Sequence, residues 1–172
     1  MNQILFDKAK LEDSLRISIL LKTVYIQVYG VEGVTHEFAN FIDEKFSKKS
    51  IEKTLETNPE QLQIAYLKGN PIGVSEILFN SLCPIRKIQL PELGKLYVLE
   101  RFKGRGIGYG LLSNTEKLVI QKGFDQLNLE VYIKNEGAIS FYKRQGYEVI
   151  GKVDFPMEQN TYENLVMTKK LN

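Results

Sequence analysis

Within the segment Arg101–Gly110, glycines occupy every second position from Gly104 onward. The surrounding pattern places this segment between a strand and a helix. Because glycine has no side chain, successive backbone N–H groups of this segment can point at one anion. The start of a helix adds roughly half a positive charge at the same point. A phosphate or pyrophosphate is therefore the expected ligand of the segment, whose glycines are Gly104, Gly106, Gly108 and Gly110.

The spacing of these glycines excludes two common nucleotide-binding motifs. A dinucleotide fingerprint, G-x-G-x-x-G, would need glycine at the position of Tyr109 or Leu111. The P-loop pattern G-x-x-x-x-G-K-[ST] is also absent from the sequence. The alternative is a glycine-rich turn between a strand and a helix that binds no ligand.

A second segment, Asn135–Tyr147, follows the next predicted strand and reads N-E-G-A-I-S-F-Y-K-R-Q-G-Y. Together, the two segments resemble the GNAT superfamily of N-acetyltransferases. The family's cofactor signature [QR]-x-x-G-x-[GA] aligns with Lys103–Gly108, and its N-x-x-A-x-x-F-Y-x-x-x-G-[FY] pattern aligns with Asn135–Tyr147. Lys103 departs from the usual Gln or Arg but keeps a positive charge. The resemblance is specific over Leu96–Tyr147 and loose over the rest of the chain.

The resemblance implies acetyl-coenzyme A as cosubstrate, with no metal, bound where two parallel strands splay apart. The backbone of the strand at Leu96–Val98 would bind the pantetheine arm, and the N–H groups of Gly104–Tyr109 would bind the pyrophosphate. Asn135 would contact the pantetheine, and Tyr142 would lie near the thioester sulfur. The implied cofactor-binding residues are Leu96, Tyr97, Val98, Lys103, Gly104, Arg105, Gly106, Ile107, Gly108, Tyr109, Asn135 and Tyr142.

Acetylation of an amine requires a proton acceptor and a group that stabilises the leaving thiolate. An alkyl ammonium with a pKa of about 10.4 must lose a proton, which costs about 4–5 kcal/mol at pH 7. Glu130 is the first candidate for the base and Glu92 the second, and a water molecule could relay the proton to either. A solvent-facing or salt-bridged Glu130 is the alternative interpretation. The hydroxyl of Tyr142 is the candidate proton donor to the thiolate.

The acceptor is expected to be a small-molecule amine. The length of the chain and its helical segment Thr35–Thr57 resemble bacterial polyamine acetyltransferases of the PaiA type, which implies spermidine or spermine. Tyr25 and Tyr29, at the end of the first helix, are candidate acceptor-binding residues, although tyrosines four residues apart on a helix also occur as packing residues. Peptide N-termini, other small amines and a non-catalytic acetyl-CoA-binding module remain open.

The elements that position these residues follow from periodicity and turn signals. Apolar residues recur at helical spacing from Ile17 to Val28, and Lys68-Gly69-Asn70 is typical of a hairpin turn. The order β-α-α-α-β-β-β-α-β-α-β-β predicts an α/β (mixed α+β) GNAT fold, in which helices flank a mostly antiparallel mixed sheet. A helix is expected from Leu11, a loop over Asn80–Pro91 and a strand over Gly94–Leu99, with Thr35, Ser47 and Asn135 as helix caps.

Composition limits the class of protein. A chain of 172 residues fits one domain, residues 1–172, and a net charge of +2 with scattered basic residues argues against a nucleic-acid partner. One cysteine and one histidine exclude a thiolate or multi-histidine metal site. No apolar run predicts membrane insertion, no signal peptide is visible, and a cytoplasmic location is expected. A homodimer is left open.

Overall fold

The computed structural model describes residues 3–171, and its element order is the one expected from the sequence. The strands are β1 (Ile4–Lys8), β2 (Leu62–Leu67), β3 (Asn70–Leu82), β4 (Gln89–Val98), β5 (Gln126–Tyr132), β6 (Glu148–Pro156) and β7 (Thr161–Lys170). The helices are α1 (Ser14–Tyr29), α2 (His36–Lys45), α3 (Lys48–Thr57), α4 (Ile107–Gln121) and α5 (Glu136–Arg144).

The strands form a mixed sheet in the order β1-β2-β3-β4-β5-β7-β6. β4 and β5 pair in parallel, with Glu92 opposite Asn128 and Leu93 opposite Leu129. The pairs β1–β2, β2–β3, β5–β7 and β6–β7 are antiparallel. The predicted mixed α/β fold, with a parallel pair in a mostly antiparallel sheet, is confirmed.

Three helices begin at the side-chain caps that the sequence predicts. The Thr35 hydroxyl accepts a hydrogen bond from the Phe38 N–H at 3.2 Å, and the Ser47 hydroxyl accepts one from the Ser50 N–H at 3.1 Å. Asn135 Oδ1 accepts from the Ala138 N–H at 3.2 Å. Each cap satisfies one of the N–H groups that a helix start leaves without an intrahelical partner.

The chain is helical from Leu11, as expected, and the first turn is a 3-10 helix at Leu11–Asp13 that leads into α1 at Ser14. One predicted boundary is wrong. The expected loop at Asn80–Pro91 is shorter, because β3 continues to Leu82 and β4 begins at Gln89. Pro91 is a buried residue of β4. Proline has no N–H group, and a strand accommodates it where no hydrogen bond from that position is needed. Glu92 consequently lies within β4.

The chain divides into two compact units, each described by itself. The first unit comprises the chain up to Glu76 together with Lys95–Thr115. Its core contains the predicted apolar stripe of α1, of which Val28 is partly buried and the other members are buried. The buried stripe residues are Ile17, Leu20, Leu21 and Val24, and they pack with Phe38, Ile42, Phe46, Ile51, Leu55, Leu62, Ile64, Tyr66 and Val74.

The second unit comprises Ile77–Gly94 and the chain from Glu116 onward. Leu127, Leu129 and Val131 are buried on β5, as the alternation predicts. Asn128 is also buried, with 4% of its surface exposed, although the alternation places it on the polar face. Burial of each large apolar side chain contributes about 1.5–3 kcal/mol. Among residues 3–171, no helix combines the length and apolar character needed to cross a membrane.

Candidate active site

The glycine segment of the first unit connects the end of β4 to the start of α4. A 3-10 turn at Glu100–Phe102 follows Leu99, whose N–H donates to the Ile72 carbonyl at 3.0 Å. Gly104 and Gly106 have φ angles of 74° and 75°, in the left-handed region that other residues rarely adopt. Nothing lies within 4 Å of a Cβ added at either position, so these glycines are needed for backbone conformation and not for space.

Gly110 differs from Gly104 and Gly106 in the structural reason for having no side chain. A Cβ at this position would lie 2.3 Å from the ring of Phe6, which is closer than real Cβ contacts allow. The glycine therefore permits close packing of α4 against β1. The Gly110 N–H donates to the Gly106 carbonyl at 2.9 Å and is therefore used within the helix. The position of Gly110 one turn after Gly106 is the sequence signal that could have separated it from the glycines predicted to bind the anion.

Two basic side chains of the predicted pyrophosphate segment are exposed and held locally. Lys103 forms an ion pair with Glu100, and the Arg105 guanidinium lies 5.6 Å from the ring centroid of Phe102. Both cations lie beside the first turn of α4, where the helix dipole also favours an anion. This arrangement can bind a diphosphate through charge and backbone N–H groups together.

The predicted pantetheine-binding residues Leu96, Tyr97 and Val98 form the end of β4, and Val98 is buried. The ring of Tyr97 contacts the edge of Tyr25, with 6.3 Å between the ring centroids. Tyr25 also packs against Tyr29, at a centroid distance of 4.5 Å. Further ring contacts of Tyr25 are made by Phe38, Phe41 and Phe46. Tyr25 and Tyr29 are thus packing residues of α1, and their role toward the acceptor stays a prediction.

The two candidate bases, Glu92 and Glu130, lie together in the second unit. Because Glu92 is opposite Asn128 and side chains alternate along a strand, Glu92, Asn128 and Glu130 share one face of the sheet. All three line a cavity of about 10 Å³, and Ser81, Leu129 and Val166 are among the other lining residues. Sequence reasoning missed Asn128, because its position on a polar face gives no signal of burial.

The two carboxylates differ in their partners. The Ser81 hydroxyl donates to Glu92 Oε2, and Asn164 Nδ2 donates to Glu130 Oε2 at 3.5 Å. Burial raises the pKa of Glu130, the negative charge of Glu92 raises this pKa further, and the hydrogen bond from Asn164 acts in the opposite direction. A carboxylate with a raised pKa holds a proton more readily and is better matched to proton transfer near neutral pH.

The predicted proton donor Tyr142 and the predicted pantetheine contact Asn135 are both on α5 or its cap in the second unit. Tyr142 is buried, and its ring packs edge-on against Phe141 and Tyr147 at centroid distances of 5.3 and 5.7 Å. The N–H of Tyr147 donates to the Tyr142 carbonyl at 3.1 Å. The second motif therefore fixes the end of α5 through its last tyrosine.

Sequence reasoning missed the polar network that holds Tyr147. The Tyr147 hydroxyl donates to Glu116 Oε1 at 3.0 Å, and Lys169 Nζ forms an ion pair with the same carboxylate at 2.8 Å. Burial and the Glu116 charge raise the pKa of Tyr147, which keeps the phenol protonated. The partners are far apart in the sequence, so local patterns carry no signal of this network.

Comparison with known proteins places these features in a family. The model of the acetyltransferase (GNAT) family matches residues 28–147. An N-acetyltransferase of Methanocaldococcus jannaschii is 33% identical over 49% of this chain, and the match spans only 38% of that protein's own length. The spermidine N(1)-acetyltransferase of Thermoplasma acidophilum is 30% identical over 83% of this chain and 85% of its own length.

A solved structure has the same fold. The PaiA N-acetyltransferase of Thermoplasma acidophilum, solved in complex with coenzyme A, superposes with a TM-score of 0.79 at 24% identity. The superposition covers 98% of this chain and 99% of that one. The family match includes the glycine segment and the segment Asn135–Tyr147. The similarity over most of the spermidine acetyltransferase indicates the same family. This chain belongs to the acetyltransferase (GNAT) family.

Proposed function

We propose that this protein transfers the acetyl group of acetyl-CoA to a primary amine, and that a polyamine such as spermidine or spermine is its best acceptor. The observation that carries the proposal is the pair of left-handed glycines, Gly104 and Gly106, immediately before α4. Their conformation leaves successive N–H groups available at a helix start, which suits a diphosphate. Family membership supports acetyl-CoA as the molecule that carries this diphosphate.

The proposed contacts with the cosubstrate involve two segments of the chain. In the first unit, Lys103–Tyr109 would bind the pyrophosphate, and the backbone of Leu96–Val98 would bind the pantetheine arm as an added strand. In the second unit, the side chain of Asn135 caps α5 through Oδ1, so its proposed contact with pantetheine would use its amide N–H₂ group or its backbone.

Acetyl-CoA supplies an activated carbonyl and a thiolate leaving group, and the protein's residues move the protons. Glu130 accepts a proton from the acceptor's ammonium, directly or through a water molecule, and the neutral nitrogen then attacks the carbonyl. The raised pKa of Glu130 supports this assignment over a permanently ionised surface carboxylate. Glu92 lies beside it and is the second candidate. The Tyr142 hydroxyl donates its proton to the departing sulfur. As the amide forms, the acceptor nitrogen releases its second proton to the Tyr142 oxygen, directly or through a water molecule, so that the products are the amide and the CoA thiol.

Two observations support a polyamine as acceptor. The spermidine N(1)-acetyltransferase of Thermoplasma acidophilum resembles this chain over most of both lengths. In addition, two carboxylates line one small cavity, which favours a positively charged amine. A peptide α-amine, with a pKa near 8, needs only about 1–1.5 kcal/mol for deprotonation at pH 7 and would make less demand on such a base.

An acceptor panel tests the proposal. Spermidine, spermine, small monoamines, aminoglycosides, amino acids and short peptides are assayed with acetyl-CoA by thiol release. The highest kcat/KM is expected for a polyamine. Activity confined to peptides would refute the polyamine assignment and keep the reaction class, whereas binding of acetyl-CoA without turnover of any amine would refute the enzymatic function.

A further inference from the structure

Asn128, which lines one cavity with Glu92 and Glu130, carries a buried hydrogen-bond acceptor without a partner. Asn128 is 4% exposed, and its Oδ1 atom accepts no hydrogen bond from any residue in the described range 3–171. An unsatisfied buried polar atom is rare in folded proteins, because its loss of hydration is not compensated. A hydrogen-bond donor in the cavity, either a water molecule or a group of a bound ligand, would satisfy Oδ1.

The groups around Asn128 Oδ1 specify what kind of ligand that is. The carboxylates of Glu92 and Glu130 line the same cavity, and no basic side chain is among the residues that line it. Glu92 accepts one described side-chain hydrogen bond, from Ser81, and Glu130 accepts one, from Asn164. A carboxylate can accept several hydrogen bonds, so both have acceptor positions left for a ligand. Three oxygen acceptors and a negative electrostatic environment therefore favour a positively charged group that carries several donors.

The volume of the cavity restricts the ligand further. About 10 Å³ is the room that one water-sized group needs. A primary ammonium, –NH₃⁺, is of this size and has three donors and no acceptor, so it matches three acceptors without leaving a donor unpaired. A second or third carbon substituent on the nitrogen would remove donors and exceed the space. Mg²⁺ fits poorly, because it requires six oxygen ligands in octahedral geometry.

We propose that Asn128 is an acceptor-binding and specificity-determining residue, whose Oδ1 accepts a hydrogen bond from the unsubstituted primary ammonium of the acceptor in the cavity formed with Glu92 and Glu130. This inference rests on the proposed function and adds to it the residue that would distinguish primary from secondary and tertiary amines. In this site the ammonium proton that points at Glu130 is the one transferred. Asn128 selects against secondary and tertiary amines, because their ammonium groups carry fewer than three N–H donors and cannot satisfy all three acceptors.

The test is a binding measurement that needs no turnover. The protein, labelled with ¹⁵N at the asparagine side-chain amides and with ¹³C at the glutamate carboxyls, is titrated by NMR with methylammonium chloride at constant ionic strength. Tetramethylammonium chloride is the charge-matched control, because it carries no N–H, and MgCl₂ tests the metal alternative. Saturable shifts of the Asn128 and Glu130 signals are expected with methylammonium alone. Equal responses to both organic cations, a response to Mg²⁺ alone, or no saturable response would overturn the proposal.

Two variants separate Asn128 from its surroundings. Asn128→Leu should weaken methylammonium binding, read from the Glu130 signal, by about tenfold or more, since hydrogen bonds to charged groups are among the strongest. Thr168→Val is the matched control, because Thr168 is a buried polar residue directly opposite Asn128 on β7 but does not line the cavity. Unchanged affinity in Asn128→Leu would refute the role of Asn128. If the amine panel shows acetylation while methylammonium does not bind, this inference fails and the proposed function stands.

Discussion

Glu92 and Glu130 face one small cavity from adjacent parallel strands, and the charge of Glu92 adds to the effect of burial in raising the pKa of Glu130. Burial and the neighbouring negative charge both disfavour the ionised form of Glu130. This relationship affects both the stability of the fold and the pH dependence of the proposed reaction.

The stability of the protein should decrease with rising pH because of Glu130. Its pKa is raised in the folded state, so the folded chain holds a proton that the unfolded chain loses near the ordinary value of 4.5. The resulting stabilisation is present below that pH and is lost as the pH rises through the folded pKa. Glu130→Gln should abolish this loss. Urea unfolding at a series of pH values measures it, with the exposed Glu148→Gln as control. Parallel curves for Glu130→Gln and the wild type would contradict the prediction.

The same pKa should appear in the pH profile of catalysis. A base works only when deprotonated, so kcat/KM should rise with pH through the raised pKa of Glu130. Glu130→Gln should flatten this rise and lower kcat/KM about 10²-fold or more at pH 7. Glu92→Gln removes a negative charge beside Glu130 and should move the rise to lower pH. An unchanged profile in Glu130→Gln would indicate that another group accepts the proton.

The sequence predicts the order of strands and helices because each element carries its own periodic pattern and its own cap. The Ile17–Val28 stripe and the caps at Thr35, Ser47 and Asn135 are local signals, and the structure contains all of them. The loop at Asn80–Pro91 was predicted too long because two prolines read as loop signals, whereas Pro91 is accommodated within β4.

The parts of the site that the sequence does not predict depend on contacts between distant residues. Asn128 lies on the polar side of the β5 alternation, and only the surrounding strands bury it. The ion pair of Glu116 with Lys169 joins residues 53 positions apart, and the hydrogen bond from Tyr147 to Glu116 spans 31. No local pattern encodes such pairs, whereas the motif that contains Tyr147 is readable because all of its residues lie on one helix and its flanking turns.

A charge in the glycine segment should abolish cofactor binding. Gly106→Glu adds a negative side chain where the pyrophosphate is proposed to bind, and we expect no measurable heat of acetyl-CoA binding in calorimetry. Gly69→Glu is a matched control, because Gly69 has a φ of 76°, open space around its Cβ position and a place in the β2–β3 turn. The two variants thus add the same charge and the same backbone strain. Native circular dichroism with normal binding in Gly106→Glu would place the cofactor elsewhere.

Removal of one hydroxyl should separate catalysis from binding at Tyr142. Tyr142→Phe keeps the ring packing against Phe141 and Tyr147 and removes the proposed proton donor. We expect kcat to fall by about 10²–10⁴-fold, the usual contribution of a general acid, with little change in acetyl-CoA affinity. Tyr162→Phe, on β7, is the control for loss of a tyrosine hydroxyl. A decrease in kcat below threefold would count against the role.

Opposite stability changes are expected at Asn128 and Thr168, which face each other across β5 and β7. Asn128→Leu replaces a buried acceptor without a partner by an apolar side chain of similar size, and should raise the free energy of unfolding by about 1–3 kcal/mol. Thr168→Val removes the hydroxyl that accepts from Gln126 Nε2 at 2.6 Å, and should lower the free energy of unfolding by about 1 kcal/mol. Urea unfolding without ligand measures both changes.

A more stable Asn128→Leu variant that also loses methylammonium binding would show that the asparagine serves binding at a cost in stability. A destabilised Asn128→Leu variant would contradict this prediction.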